Sequence, residues 1–111
     1  MAKRPPNTVS QLARHYDVSG VVANGVPMVT HDQKLIKPTT IRAGWRWSRE
    51  DDCWIFVRAQ VTGQRLRPDD RGTLPGERST AWGVRNLSEA PDWVQEFVKL
   101  QEPKGGLGYS G

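Results

Sequence analysis

Apolar and polar positions change their rhythm several times along the chain, and each change marks an element. Thr8 with Gln11 fits a helix capping box, and Val9, Leu12, Ala13 and Tyr16 then fall at i, i+3, i+4 and i+7. That spacing predicts a short N-terminal helix beginning at Asn7 or Thr8, too short to persist unless it packs. From Val18 the pattern becomes β-branched, with Val21, Val22, Val26 and Val29 around Asn24-Gly25, a preferred hairpin dipeptide. A hairpin over 18–30 is the expectation; the rival reading is a short helix at 19–24 ended by Gly25.

The middle of the chain carries the clearest strand signals. Ile41 to Trp47 and Trp54 to Thr62 flank the polar run Ser48-Arg49-Glu50-Asp51-Asp52, which reads as a hairpin with an acidic turn. In its second strand Ile55, Val57, Ala59 and Val61 alternate with Trp54, Phe56, Arg58 and Gln60, so the small apolar set is expected to face the core. The turn-formers of 68–76 then separate a third strand at about 78–85. Ser88-Glu89-Ala90-Pro91-Asp92 opens a helix at about 90–101, whose Trp93, Val94, Phe97, Val98 and Gln101 form an apolar stripe. The expected fold class is α+β: a small antiparallel β-sheet, a hairpin plus a three-stranded meander, packed with an N-terminal and a C-terminal helix. In this reading residues 1–6 are a basic flexible arm, 7–102 a single α+β domain and 103–111 a Gly-rich flexible tail.

Composition narrows the function classes. The 111 residues carry 16 Lys plus Arg against 12 Asp plus Glu, a net charge of +4, and five Trp, which suits one folded domain rather than a disordered tail. Residues 1–41 hold five basic side chains against two acids, 42–85 nine Arg against six, and 86–111 two Lys against four, so the basic field lies on the first three-quarters. No apolar run is long enough to span a bilayer and the start lacks the apolar core of a secretory signal, so a cytoplasmic protein with no membrane partner is expected. Cys53 is the only cysteine, which excludes an internal disulfide and a Cys-based zinc site.

The interleaving of aromatic and guanidinium groups is the strongest candidate chemistry. Arg42, Trp45, Arg46, Trp47, Trp54, Arg58, Arg65, Arg67 and Arg71 are the expected binding residues. On a shared sheet face they would stack nucleic-acid bases and neutralise phosphates, and Trp45, Trp47 and Trp54 are the best candidates for exposure. The same residue types dominate protein hot spots, so a protein-interaction module that binds or inhibits a host protein, or self-associates through exposed strand edges, is the alternative. The competing structural use is plain: a small domain short of Leu and Ile needs its tryptophans inside. Glu50-Asp51-Asp52 and Asp69-Asp70 lie in turns, where Asp bonds nearby amides, and Cys53 has no nucleophile context. Phosphate-loop, nucleophile-elbow and HExxH motifs are lacking. No enzyme, no catalytic or metal site and no cofactor is expected.

Three resemblances arise from particular residues. Thr8 to Ser19 resembles the first helix and turn of helix-turn-helix proteins, but Gly20 to Pro27 leaves too little chain for a recognition helix. Gly25-Val26-Pro27 and Gly44 to Asp51 loosely resemble the wing of excisionase-like winged helices, several residues too close together. Residues 60–98, with Val61 to Asp69, Gly72-Thr73-Leu74-Pro75-Gly76 and Ala90-Pro91-Asp92-Trp93-Val94, resemble small uncharacterised accessory proteins of actinobacterial phages and prophages. That last resemblance implies an accessory protein acting in the host cytoplasm and transfers no active site.

Overall fold

A computed structural model describes residues 8–10, 14–68 and 72–103. The strands are β1 (Thr8–Ser10), β2 (His15–Val21), β3 (Met28–Val29), β4 (Leu35–Ser48), β5 (Cys53–Leu66) and β6 (Thr73–Gly83). A 3-10 turn at Leu87–Glu89 leads into α1 (Asp92–Gln101). The strands form one mostly antiparallel sheet in the order β1-β2-β4-β5-β6, with β3 also paired to β4.

This corrects the expected sheet flanked by two helices: α1 is the one α-helix among the described residues. At the N-terminus β1 pairs with β2, placing Val9 opposite Tyr16 and Ser10 opposite His15. The i to i+7 relation that suggests two helical turns is here the relation between partners across a hairpin. Alternation then decides in favour of strand, because Tyr16 and Val18 are buried while His15 and Asp17 are exposed. The expected 18–30 hairpin is also rearranged. Asn24 does adopt the left-handed conformation of a turn, at φ 54°. However, β2 and β3 each pair with β4 instead of with each other, and the Val22 amide bonds the Thr39 carbonyl at 2.8 Å. The expected arm at 1–6 and all of the expected 103–111 tail except Pro103 lie outside the described residues.

Contacts divide the chain into two compact units, 1–18 with 43–59 and 82–111, and 19–42 with 60–81. In the first, Tyr16, Val18, Ala43, Trp45, Ala59, Trp82, Ala90, Val94 and Val98 are the buried apolar residues. Helix α1 contributes Val94 and Val98 at a one-turn spacing. Its first turn is tied down by Gln95, whose side-chain amide donates to the carbonyls of Ala90 at 2.8 Å and Ser88 at 3.2 Å.

In the second unit Ile36, Ile41, Val61 and Leu66 are buried. Gly63 packs against the backbone of Lys37 and Pro38. Within β4 the buried positions shift from Ile36 and Pro38 to Ile41, Ala43 and Trp45, a change of phase that follows the proline. The tight turn joining β3 to β4 is built on buried Thr30. Its amide and carbonyl bond the Lys34 carbonyl and the Gln33 amide, and its hydroxyl accepts from the Lys34 amide at 3.0 Å and donates to Asp32. From this turn the His31 ring donates to the Ala81 carbonyl at 2.7 Å, and the His31 amide donates to the Thr80 hydroxyl at 3.3 Å. Arg78 stands 3.6 Å from Asp32. Strand β6 ends the sheet order, so this latch occupies part of an edge that would otherwise offer free backbone groups.

The Thr30 hydroxyl above all, with Arg78 and Lys34 in support, holds the Asp32 carboxyl below its ordinary value of 3.8. A carboxyl with a lowered folded pKa stabilises the fold above that ordinary value and loses its contribution as pH falls through the folded one. Asp32 is exposed, so the effect is small. Between neutral pH and pH 4 the wild type should hold the more stable latch, and Asp32→Asn should lose the advantage. Urea midpoints of the two proteins should therefore converge as the solution is acidified below the ordinary carboxylate value; midpoints equally far apart at low pH would refute the assignment.

Candidate functional site: an aromatic ladder beside an open groove

The β4–β5 hairpin places its rings by symmetry about the turn. Ser48 and Asp51 close that turn through two 3.2 Å bonds, hydroxyl to carboxylate and amide to hydroxyl, and Asp52 takes a left-handed φ of 52°. The acids of Glu50-Asp51-Asp52 are thus turn-formers. Trp47 and Trp54 sit equally far from the turn centre and meet edge-on, centroids 5.4 Å apart at 79°. One cross-strand step further Trp45 meets Phe56 at 5.8 Å and 71°. Tyr16 of β2 completes the cluster, 5.8 Å from Trp45 and 6.0 Å from Trp54. Such edge-to-face contacts are the favoured arrangement of aromatic quadrupoles. Arg14 lies 5.4 Å over the Trp47 ring, a cation–π contact, and its carbonyl accepts from the Trp47 amide at 2.9 Å.

This geometry separates what the sequence interleaves. Along β4, Arg42 and Arg46 are exposed while Ala43 and Trp45 are buried, so guanidinium and indole groups of this strand point to opposite sides. Trp45, expected at the surface, is 2% exposed. Trp47 and Trp54 are half-buried, and Arg58 is exposed two residues beyond Phe56. Arg65 is half-buried with its guanidinium on the Pro75 carbonyl at 3.3 Å, Arg67 is exposed, and Arg71 lies outside the described residues. In β5 the expected core set is divided: Ala59 and Val61 are sealed, but Ile55 is half-buried and Val57 is 43% exposed.

Charge is divided as well. By sequence the first unit, which holds the whole aromatic ladder, carries nine Lys or Arg against eight Asp or Glu. The second carries seven against four.

Beside the ladder, still within the first unit, runs an open groove of about 620 Å³. Trp45, Phe56, Val84, Leu87 and Val98 supply its apolar lining, and Gln95, Glu96, Lys99 and Glu102 of α1 and its end supply the polar side. Comparison with family models, curated proteins and solved structures returns no match. The groove is therefore interpreted from its own chemistry. Among the described residues no three His, Cys, Asp or Glu side chains gather as a metal site, and no helix is long and apolar enough to cross a membrane.

Sequence reasoning missed Tyr16, assigned to a helix, and Arg14, Val84 and Leu87. Phe56 was recoverable: once the turn at 48–52 is accepted, Trp45 and Phe56 are equidistant from it.

Proposed function

We propose that this chain is a small non-enzymatic accessory protein of phage type, acting in the host cytoplasm, whose task is to bind another protein through the groove beside α1. The observation that carries the reading is the groove's composition: an aromatic and aliphatic lining, with two carboxylates, Glu96 and Glu102, against the single cation Lys99 on its α1 wall. Its occupant is a peptide segment that inserts an apolar side chain and carries Lys or Arg beside it. Apolar anchors in a desolvated cleft supply most of the affinity of such contacts, and opposite charge at the rim supplies rate and selectivity.

The test is titration of the labelled protein, followed by NMR, with short synthetic peptides holding a single Leu or Trp between lysines or between glutamates. The lysine-flanked peptide should shift the resonances of Val84, Leu87 and Glu96, and the glutamate-flanked one should bind at least tenfold more weakly. Val84 is 64% exposed, so Val84→Asp should leave the fold intact and abolish binding. Equal binding of both peptides, or shifts confined to other residues, would refute the reading.

A second reading keeps nucleic acid as the ligand. It is favoured by Arg14 over half-buried Trp47 and by exposed Arg58 on the same strand as Trp54 and Phe56. It requires retention of an oligonucleotide that weakens steeply with salt and with Arg58→Ala, the salt slope falling by about one.

A further inference from the structure

The second unit carries a different surface, independent of the groove. In the β3–β4 hairpin Met28 is opposite Ile36 and Val29 opposite Leu35. Directly opposed residues project to the same side of a ladder, and side chains alternate along each strand. Ile36 and Pro38 are buried, so Val29, Leu35 and Lys37 share the outer side. The segment leading into β3 is held against β4 by the Val22–Thr39 bond and by Gly25, where an added Cβ would stand 2.5 Å from the Pro38 carbonyl oxygen. That segment exposes apolar groups instead of burying them: Val21 is 86% exposed, Val26 72% and Val29 54%. Lys34 and Lys37 of the same hairpin are both exposed, and among the described residues neither has a carboxylate within ion-pair distance. The acid of this turn, Asp32, is engaged first by Thr30 and Arg78, with Lys34 the least of its supports.

We propose that this hairpin is a docking surface for an anionic membrane, with Val26 and Val29 entering the headgroup boundary and Lys34 and Lys37 meeting lipid phosphates. Charge complementarity selects the occupant, because exposed Lys34 and Lys37, on a unit that by sequence holds seven basic side chains against four acids, favour a negative surface. The valines separate the membrane from nucleic acid, whose phosphates give them no partner. This is surface contact, which needs no spanning segment, and it departs from the expectation of no membrane partner.

The full chain should co-sediment with phosphatidylcholine vesicles containing phosphatidylserine and remain in solution with phosphatidylcholine alone. Lys34→Glu and Lys37→Glu should each weaken binding by about fivefold or more, the size expected of a basic side chain near such a surface. Val26→Ser and Val29→Ser, at exposed positions that leave the fold intact by circular dichroism, should each weaken it by about threefold. Failure to bind phosphatidylserine vesicles at low salt would overturn the proposal. So would full binding by the valine variants, since charge alone would then account for it, as would stronger retention of a single-stranded oligonucleotide that ignores the valines.

Discussion

Gly63→Ala is expected to lower stability by about 3 kcal/mol, a loss on the scale of an overpacked or strained core site. A Cβ on Gly63 would collide with the Lys37 carbonyl oxygen and come within 2.7 Å of its carbonyl carbon and 2.9 Å of the Pro38 Cα. These are backbone atoms of the neighbouring strand, next to a proline, so they yield only if the strand moves. The control is Gly44→Ala. There the nearest atom is Asp17 Oδ1 at 2.7 Å, the free end of an exposed side chain that can swing aside. Ala gains about 0.5 to 1 kcal/mol over Gly in strand entropy, so the control should be near neutral. Thermal unfolding should fall by roughly 10 to 20 °C for the first variant and barely change for the second. Equal midpoints would show that β4 and β5 do not approach as closely as described.

Trp45→Ala is expected to be comparably damaging, at about 4 kcal/mol, through the loss of a large buried side chain and the cavity left behind. Trp45 touches Tyr16 and Phe56 and forms part of the groove lining while remaining 2% exposed. Since a domain of this kind has only about 5 to 15 kcal/mol to lose, much of its margin disappears. Trp45→Phe keeps an aromatic ring there and should cost less than half as much. Trp47→Ala, at a half-buried ring, should fall between wild type and Trp45→Ala. Urea denaturation with near-ultraviolet circular dichroism reads both the midpoint and the ladder's asymmetry. An unchanged midpoint in Trp45→Ala would return this indole to the surface. Any partner bound less well by Trp45→Ala reports on folding, which is why Val84 carries the test of the groove.

These two sites show where sequence and tertiary structure part company. Glycine at position 63 falls just past the expected strand end at Thr62, and nothing local distinguishes it from Gly44; the difference lies in what the adjacent strand places opposite. Trp45 and Arg46 are neighbours in sequence, and a surface rich in both is a fair expectation. Strand alternation sends them to opposite sides, which abolishes a shared face of β4.

Local chemistry by itself determined the turn at 48–52, through Ser and Asp side chains that bond their own backbone, and with it the pairing of Trp47 with Trp54. It also determined α1, whose Pro91, Asp92 and valine stripe act within a few residues of one another. Only the tertiary structure decided that Val9 and Tyr16 stand opposite each other in a hairpin instead of on one helix face, and that β2 and β3 pair with β4. Over so short a segment two helical turns and two paired strands satisfy the same apolar spacing. The choice falls to the partner strand, because a hairpin end gains backbone hydrogen bonds and buried area from β4 that no isolated stretch of sequence contains.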